Sequence, residues 1–199
     1  VEVPDHADLK FPDGFTFAAW VRPAGGGIVR PVVSKPREPG GTGLRFDASQ
    51  SSTRLTTYTL EDGSDCEVTG PGLPIDEWSH VATTWDGSYG RVYANGELVA
   101  MGACTGTPLS VNDLPLWIGL EWKGAPEERA FHGDISEVIA WSTGLSEPDI
   151  LAAYDGDIPG IPVAHWKLDE GSGKTANDST GKGHHGTLGP TLSWIQECP

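Results

Sequence analysis

Asp134 and Glu137, three apart inside the strand-like run Phe131 to Trp141, are the carboxylates to test first for acid–base chemistry. Residues three apart on a regular strand point to opposite faces, so these two are not expected to flank one glycosidic bond. Proton abstraction beside a neutralised acidic sugar would instead need a His or Tyr near an Arg. His80, Tyr58, Arg45 and Arg54 are of the right types on neighbouring strands, but nothing in their spacing singles them out. Binding a sugar asks for less: an aromatic platform and a few fixed polar groups. Trp122, in the polar Pro- and Gly-bearing loop from Glu121 to Arg129, is the best exposed aromatic, its other reading being a loop anchor. Trp20, Tyr58, His80, Arg45, Asp47 and Arg54 form a polar-face set that would equally serve as a solvated sheet surface with internal ion pairs. His184-His185 lies in a Gly-rich hairpin and reads as a surface turn rather than a metal site. Asn177-Asp178-Ser179 has the form of an N-glycosylation acceptor.

The elements that would position these residues are strands. Phe15, Phe17, Ala19 and Val21 alternate with Thr16, Ala18, Trp20 and Arg22, which gives a strand with a Phe-lined core face and Trp20 on the opposite side. Leu44 to Asp47 and Leu55 to Leu60 read the same way, with Arg45, Asp47, Arg54, Thr56 and Tyr58 opposite their apolar partners. From Glu77 to Val99 the chain reads as an antiparallel meander: Asp86-Gly87 and Asn95-Gly96 supply its turns, the latter because both residues tolerate positive φ. Trp85, Trp117, Trp141 and Trp166 fall in strand patterns and are expected in the core. A short helix is predicted near residues 146–154, with Ser146 as N-cap and Pro148 in its first turn.

Composition agrees with an all-β chain. The 199 residues include 27 Gly and 16 Pro, too many for a helical protein, and Thr, Val, Trp and Tyr recur in short runs between them. The formal charge of −15 opposes nucleic acid and anionic lipid, so neither is an expected partner. No apolar run reaches the length of a membrane span. No cleavable signal is present, which reads as a mature secreted chain or an excised fragment.

The succession Trp78, His80-Val81-Ala82, Trp85-Asp86-Gly87, then Val92-Tyr93-x-Asn95-Gly96-Glu97 resembles the laminin-G-like, concanavalin-A-like lectin and glucanase jelly rolls. The run Gly133-Asp134-Ile135-Ser136-Glu137-Val138 followed by Leu145-Ser146 is similar to the end of such domains. The resemblance implies a two-sheet antiparallel jelly-roll sandwich over 1–199. It also implies that Cys66, before the meander, and Cys104, after it, bridge. In the chain-entropy model such a disulfide stabilises by roughly 3–4 kcal/mol. Cys198 is then left over as a free thiol, an interchain partner, or one whose partner lies elsewhere. Family members often carry a structural calcium tied to a carboxylate of the last strand; Asp134 is such a carboxylate, while Ser136 stands where an Asp is usual. Residues 163–199 look like the opening hairpin of the fold placed at its end. They are expected to complete the sandwich in cis, with tandem repetition and self-association through the same segment as alternatives. Function by resemblance is a non-catalytic, lectin-like module of a secreted multimodular protein, with a polysaccharide or glycan as partner. The alternatives are a polysaccharide lyase or glycoside hydrolase, and an adhesive module assembled by strand exchange.

Overall fold

A computed structural model describes residues 1–25, 30–36, 44–58, 65–106, 111–121, 129–190, 192–195 and 199, with backbone alone at 55–58 and 65. Its described strands form two wholly antiparallel sheets. One has six strands in the order β12 (Ala164–Trp166), β11 (Gly133–Trp141), β2 (Phe15–Pro23), β7 (Ser79–Trp85), β8 (Tyr89–Ala94) and β9 (Glu97–Ala103). The other has eight: β13 (Thr175–Ala176), β14 (Gly186–Thr187), β1 (Glu2–Val3), β10 (Leu116–Ile118), β3 (Arg30–Lys35), β4 (Leu44–Ala48), β5 (Thr53–Tyr58) and β6 (Asp65–Gly70). This is the expected all-β jelly-roll sandwich.

Its core follows from the two-residue period. Phe15, Phe17, Ala19 and Val21 of β2 face Leu44, Phe46 and Ala48 of β4 within one cluster, sealed by Trp85 and Trp166. Trp85 Nε1 donates to Cys104 O and Trp166 Nε1 to His184 O, so each buried indole N–H is satisfied. The other two tryptophans expected in the core are buried elsewhere. Trp141 lies in a second cluster on the outer side of the six-stranded sheet, and Trp117, between the core residues Leu116 and Ile118, alternates to the outer side of the eight-stranded one.

The second cluster exists because a helix covers part of that outer face. α1 (Glu147–Tyr154) begins at Ser146, whose hydroxyl and backbone N–H both donate to Asp149, and Pro148 fits the first turn, where no N–H is needed. Ile150 packs on Ala18, Ala82, Tyr93, Ile139 and Trp141, and Ala153 is buried alongside. The Asn95-Gly96 turn has both residues at positive φ, 51° and 81°, as a tight hairpin requires. The Cys66–Cys104 disulfide, Cα to Cα 5.2 Å, joins edge strand β6 of one sheet to the end of edge strand β9 of the other. In the C-terminal segment β12 pairs with β11, and the β13–β14 hairpin pairs with β1.

Candidate functional site

The six residues of the sequence-derived polar face fall on two different sheets. Arg45 and Asp47 on β4, Arg54 and Tyr58 on β5 belong to the eight-stranded sheet; Trp20 on β2 and His80 on β7 belong to the six-stranded one. Alternation marks outward residues but cannot tell one outer face from the other, and here it merges two surfaces. The side chain of Tyr58, all of Trp122 and Cys198 lie outside the described residues.

On the eight-stranded sheet the charges are consumed by one another. Arg45 donates to both oxygens of Asp47, at 3.0 and 2.9 Å, and to Glu121 at 3.1 Å. Arg54, directly across from Asp47 in the ladder, reaches Asp47 and Glu67 at 3.3 Å, and Arg129 donates to Glu121 at 2.9 Å. Asp47 and Glu121 are almost wholly buried. Burial pushes the Asp47 carboxyl up against the pull of Arg45 and Arg54. Desolvation also opposes the Arg45 charge, but Asp47 and Glu121 outweigh it and hold the guanidinium above its ordinary value. With these carboxylates occupied, the network offers a ligand little that is not already spent. Glu121, Glu67 and Arg129 were not readable as its members, because the contacts are long-range.

On the six-stranded sheet the outward side chains lie in cross-strand rows. Trp20 stands opposite His80 and Ser136, and Arg22 opposite Asp134. The Arg22 guanidinium sits 5.2 Å from the ring centre of Trp78 and donates from Nε to Asp134 at 2.9 Å. Gly133 lets the β11 backbone close on β2 here, because a Cβ there would lie 2.1 Å from Arg22 O. The rings of Trp20 and Tyr154 are 5.8 Å apart, and His80 completes an aromatic triangle at 5.4 and 5.8 Å. Trp20, Arg22, Trp78 and Asp134 all remain partly exposed, at the end of the sheet where α1 stops.

Glu137 joins this face against the sequence expectation. The β11–β2 register shifts between Ser136 and Ile139, and Glu137 sits at the shift with φ of 50°. One extra residue inverts the alternation, so Asp134 and Glu137 share a face after all. Glu137 lines a notch with Ala18, Trp20, His80, Ile139, Ala153, Gly156 and Asp157. The His165 imidazole, 3.4 Å from its carboxylate, holds that carboxyl below its usual range. Desolvation lowers the pKa of buried His80 to about 4, so its imidazole is neutral at physiological pH. Asp134 was the calcium candidate. It is bound to Arg22, with buried Ser136 beside it, and belongs to no group of three metal-ligating side chains among the described residues. That donor set does not fit a shell of six to eight oxygens.

Comparison with known proteins gives a consistent fold. The family model of the concanavalin A-like lectin/glucanases superfamily matches residues 1–151. A proposed carbohydrate-binding protein from Bacteroides ovatus superposes with a TM-score of 0.70 at 20% identity, over 98% of this chain and 58% of its own. The sialidase CBM40 of Ruminococcus gnavus, solved with α2,3-sialyllactose, gives 0.63 at 14% identity over 77% of this chain and 91% of its own. A heptameric SAP-like pentraxin from Limulus polyphemus gives 0.57 at 17% identity, over 99% and 88%. Among curated proteins no sequence relative matches the chain.

Proposed function

This chain belongs to the concanavalin A-like lectin/glucanases superfamily, and from that premise we propose that it is a non-catalytic carbohydrate-binding module of a secreted multimodular protein. The observation that carries the reading is the open row of Trp78, Arg22 and Trp20 on the six-stranded sheet, braced by Asp134. Indoles offer a flat apolar surface to the face of a pyranose ring, and fixed charged partners orient its hydroxyls. Two structural neighbours are named for carbohydrate binding, in keeping with this assignment.

Binding is favoured over hydrolysis by charge. A glycosidase acid must hold its proton near neutral pH, yet the Glu137 carboxyl is pulled down by His165 and Asp134 is ion-paired. The ligand class this site favours is a neutral glycan: Arg22 is paired with Asp134, Glu137 and Asp157 line the notch beside Trp20, and the chain carries −15 overall. Secretion is supported by the Cys66–Cys104 disulfide, a bond of oxidising compartments. No helix among the described residues is long and apolar enough to cross a membrane. The C-terminal pairings support a single domain over 1–199, completed in cis by 163–199.

The test is a panel of neutral and sialylated glycans against the purified chain, with its mass in solution measured in parallel. A monomer that binds neutral glycans saturably, and loses them in Trp78→Ala and Trp20→Ala, is the expected result. Binding that survives both substitutions but fails in Arg45→Ala would move the site to the other sheet; release of unsaturated or reducing sugar would overturn the non-catalytic reading.

A further inference from the structure

We propose a transition-metal site made by His6, Asp8 and His184, which pins the C-terminal hairpin to the N-terminal segment. The three ligand atoms all lie within 4.8 Å of one another. Asp8 Oδ2 is 3.4 Å from His184 Nε2 and 3.7 Å from His6 Nδ1, and the two rings are 4.5 Å apart. A tetrahedral zinc ion with bonds of about 2.0–2.2 Å holds its ligands roughly 3.3–3.6 Å from one another, so both Asp8 distances already fit and the two imidazole nitrogens, within 4.8 Å, would draw together around the ion.

A second, independent observation points to a ligand. His184 is 4% exposed, and its Nε2 is fully buried without a hydrogen bond, directed at the Asp8 carboxylate. A buried nitrogen of this kind costs free energy unless it has a partner. His184 is also held in place. Its backbone N–H donates to Asp178 Oδ2 at 3.1 Å and its carbonyl accepts from Trp166 Nε1 at 2.6 Å. The expected surface turn is therefore half wrong: His185 is exposed and spends Nδ1 on the Asp178 N–H, while His184 turns inward.

His6 Nδ1 accepts a long 3.3 Å bond from Asp8 N–H, which an ion at that nitrogen would replace. Two imidazoles and one carboxylate suit a borderline ion such as zinc and discriminate against calcium and magnesium, which take oxygen. A fourth position is left for water. The ligands come from the turn Ala7–Leu9 with its N-cap and from the loop before β14, so the ion would tie together segments almost the whole chain apart.

The site is independent of the glycan-binding face, and so is its test. The full chain, stripped with chelator, is titrated with zinc chloride by calorimetry and, separately, with cobalt(II) followed by visible absorption. One equivalent should bind, raise the melting temperature and give a tetrahedral cobalt spectrum, whereas calcium chloride should do none of these. His6→Ala and Asp8→Asn, both at exposed positions, should each weaken zinc at least about tenfold while melting like the unmodified chain in chelator. His185→Ala should bind zinc unchanged. Absence of saturable zinc binding, or binding indifferent to His6→Ala and Asp8→Asn, would overturn the proposal.

Discussion

The two outer faces of the sandwich are built from the same kinds of residue and end in opposite states. On the eight-stranded sheet Arg45, Asp47, Arg54 and Glu121 close on each other and are largely withdrawn from water; on the six-stranded sheet Trp20, Trp78, Arg22 and Asp134 stay partly open. The difference lies in what stands across each strand. Asp47 faces Arg54 in the ladder and Arg45 is two residues along the same strand, so one carboxylate meets two guanidiniums. Arg22 instead has the Trp78 indole and the Asp134 carboxylate among its partners. What separates the two faces is that one leaves its indoles partly exposed while the other buries its carboxylates, and composition alone does not report that.

The sharpest way to break the comparison is to open the closed face. Asp47→Ala removes the carboxylate that accepts four of the network's bonds from Arg45 and Arg54 and leaves a buried guanidinium short of charge. The expected loss is about 3–5 kcal/mol in urea unfolding, with glycan affinity unchanged in whatever fraction stays folded. Replacing Arg45, Asp47 and Glu121 together by Met, Leu and Leu should recover most of it, because well-packed apolar side chains need no compensation and no buried carboxylate is left without its guanidinium. If the single variant were neutral, the network would be ordinary surface decoration.

Next in size is a pH effect rooted in the open face. His80 titrates near 4 in the folded chain and near 6.5 when unfolded, so between those values the unfolded state binds a proton that the folded state does not. Stability therefore rises with pH across that window, is complete above it, and falls by up to about 3 kcal/mol as pH drops from 6.5 to 4. His80→Gln should flatten the slope in unfolding curves taken between pH 4.5 and 7.5. An unchanged slope would assign the acid sensitivity to carboxylates alone.

The fold was legible because its signals are local. The Phe face of β2, the Asn95-Gly96 turn and the Ser146 cap each depend on a few neighbouring residues, and each appears where the pattern puts it. The site was legible only in part. Trp20 and His80 were identifiable as outward residues, but separating their surface from that of Arg45 needed strand order, which period-two patterning does not contain. The Glu137 bulge defeats the pattern outright: nothing in Ile135-Ser136-Glu137-Val138 marks the extra residue, and the inference that Asp134 and Glu137 oppose each other fails on it. His184 was misjudged for a related reason, since its burial comes from the opposite end of the chain.

On the open face, Trp78→Ala should weaken the bound glycan ten- to a hundredfold, about 1.4–3 kcal/mol. It should cost about 1 kcal/mol or less in folding, chiefly the lost contact with Arg22. Calorimetry with the best glycan of the panel, beside urea unfolding, separates the two. A loss of stability equal to the loss of binding would make Trp78 a packing residue and leave the row without a platform.

The smallest effect tests where the closed network ends. Glu67 is exposed over half its side chain and meets Arg54 at 3.3 Å, while Arg54 also holds buried Asp47. An exposed pair gains little Coulomb energy in water and loses side-chain freedom, so Glu67→Ala should change stability by about 0.5 kcal/mol or less. In a double-mutant cycle with Arg54→Ala, the coupling should be equally small at moderate salt. A coupling several times larger would mean that Glu67 fixes the Arg54 guanidinium over Asp47. The saturation of this face would then extend to its solvent edge, and the boundary between a closed surface and an open one would lie at the rim of the sheet rather than at burial.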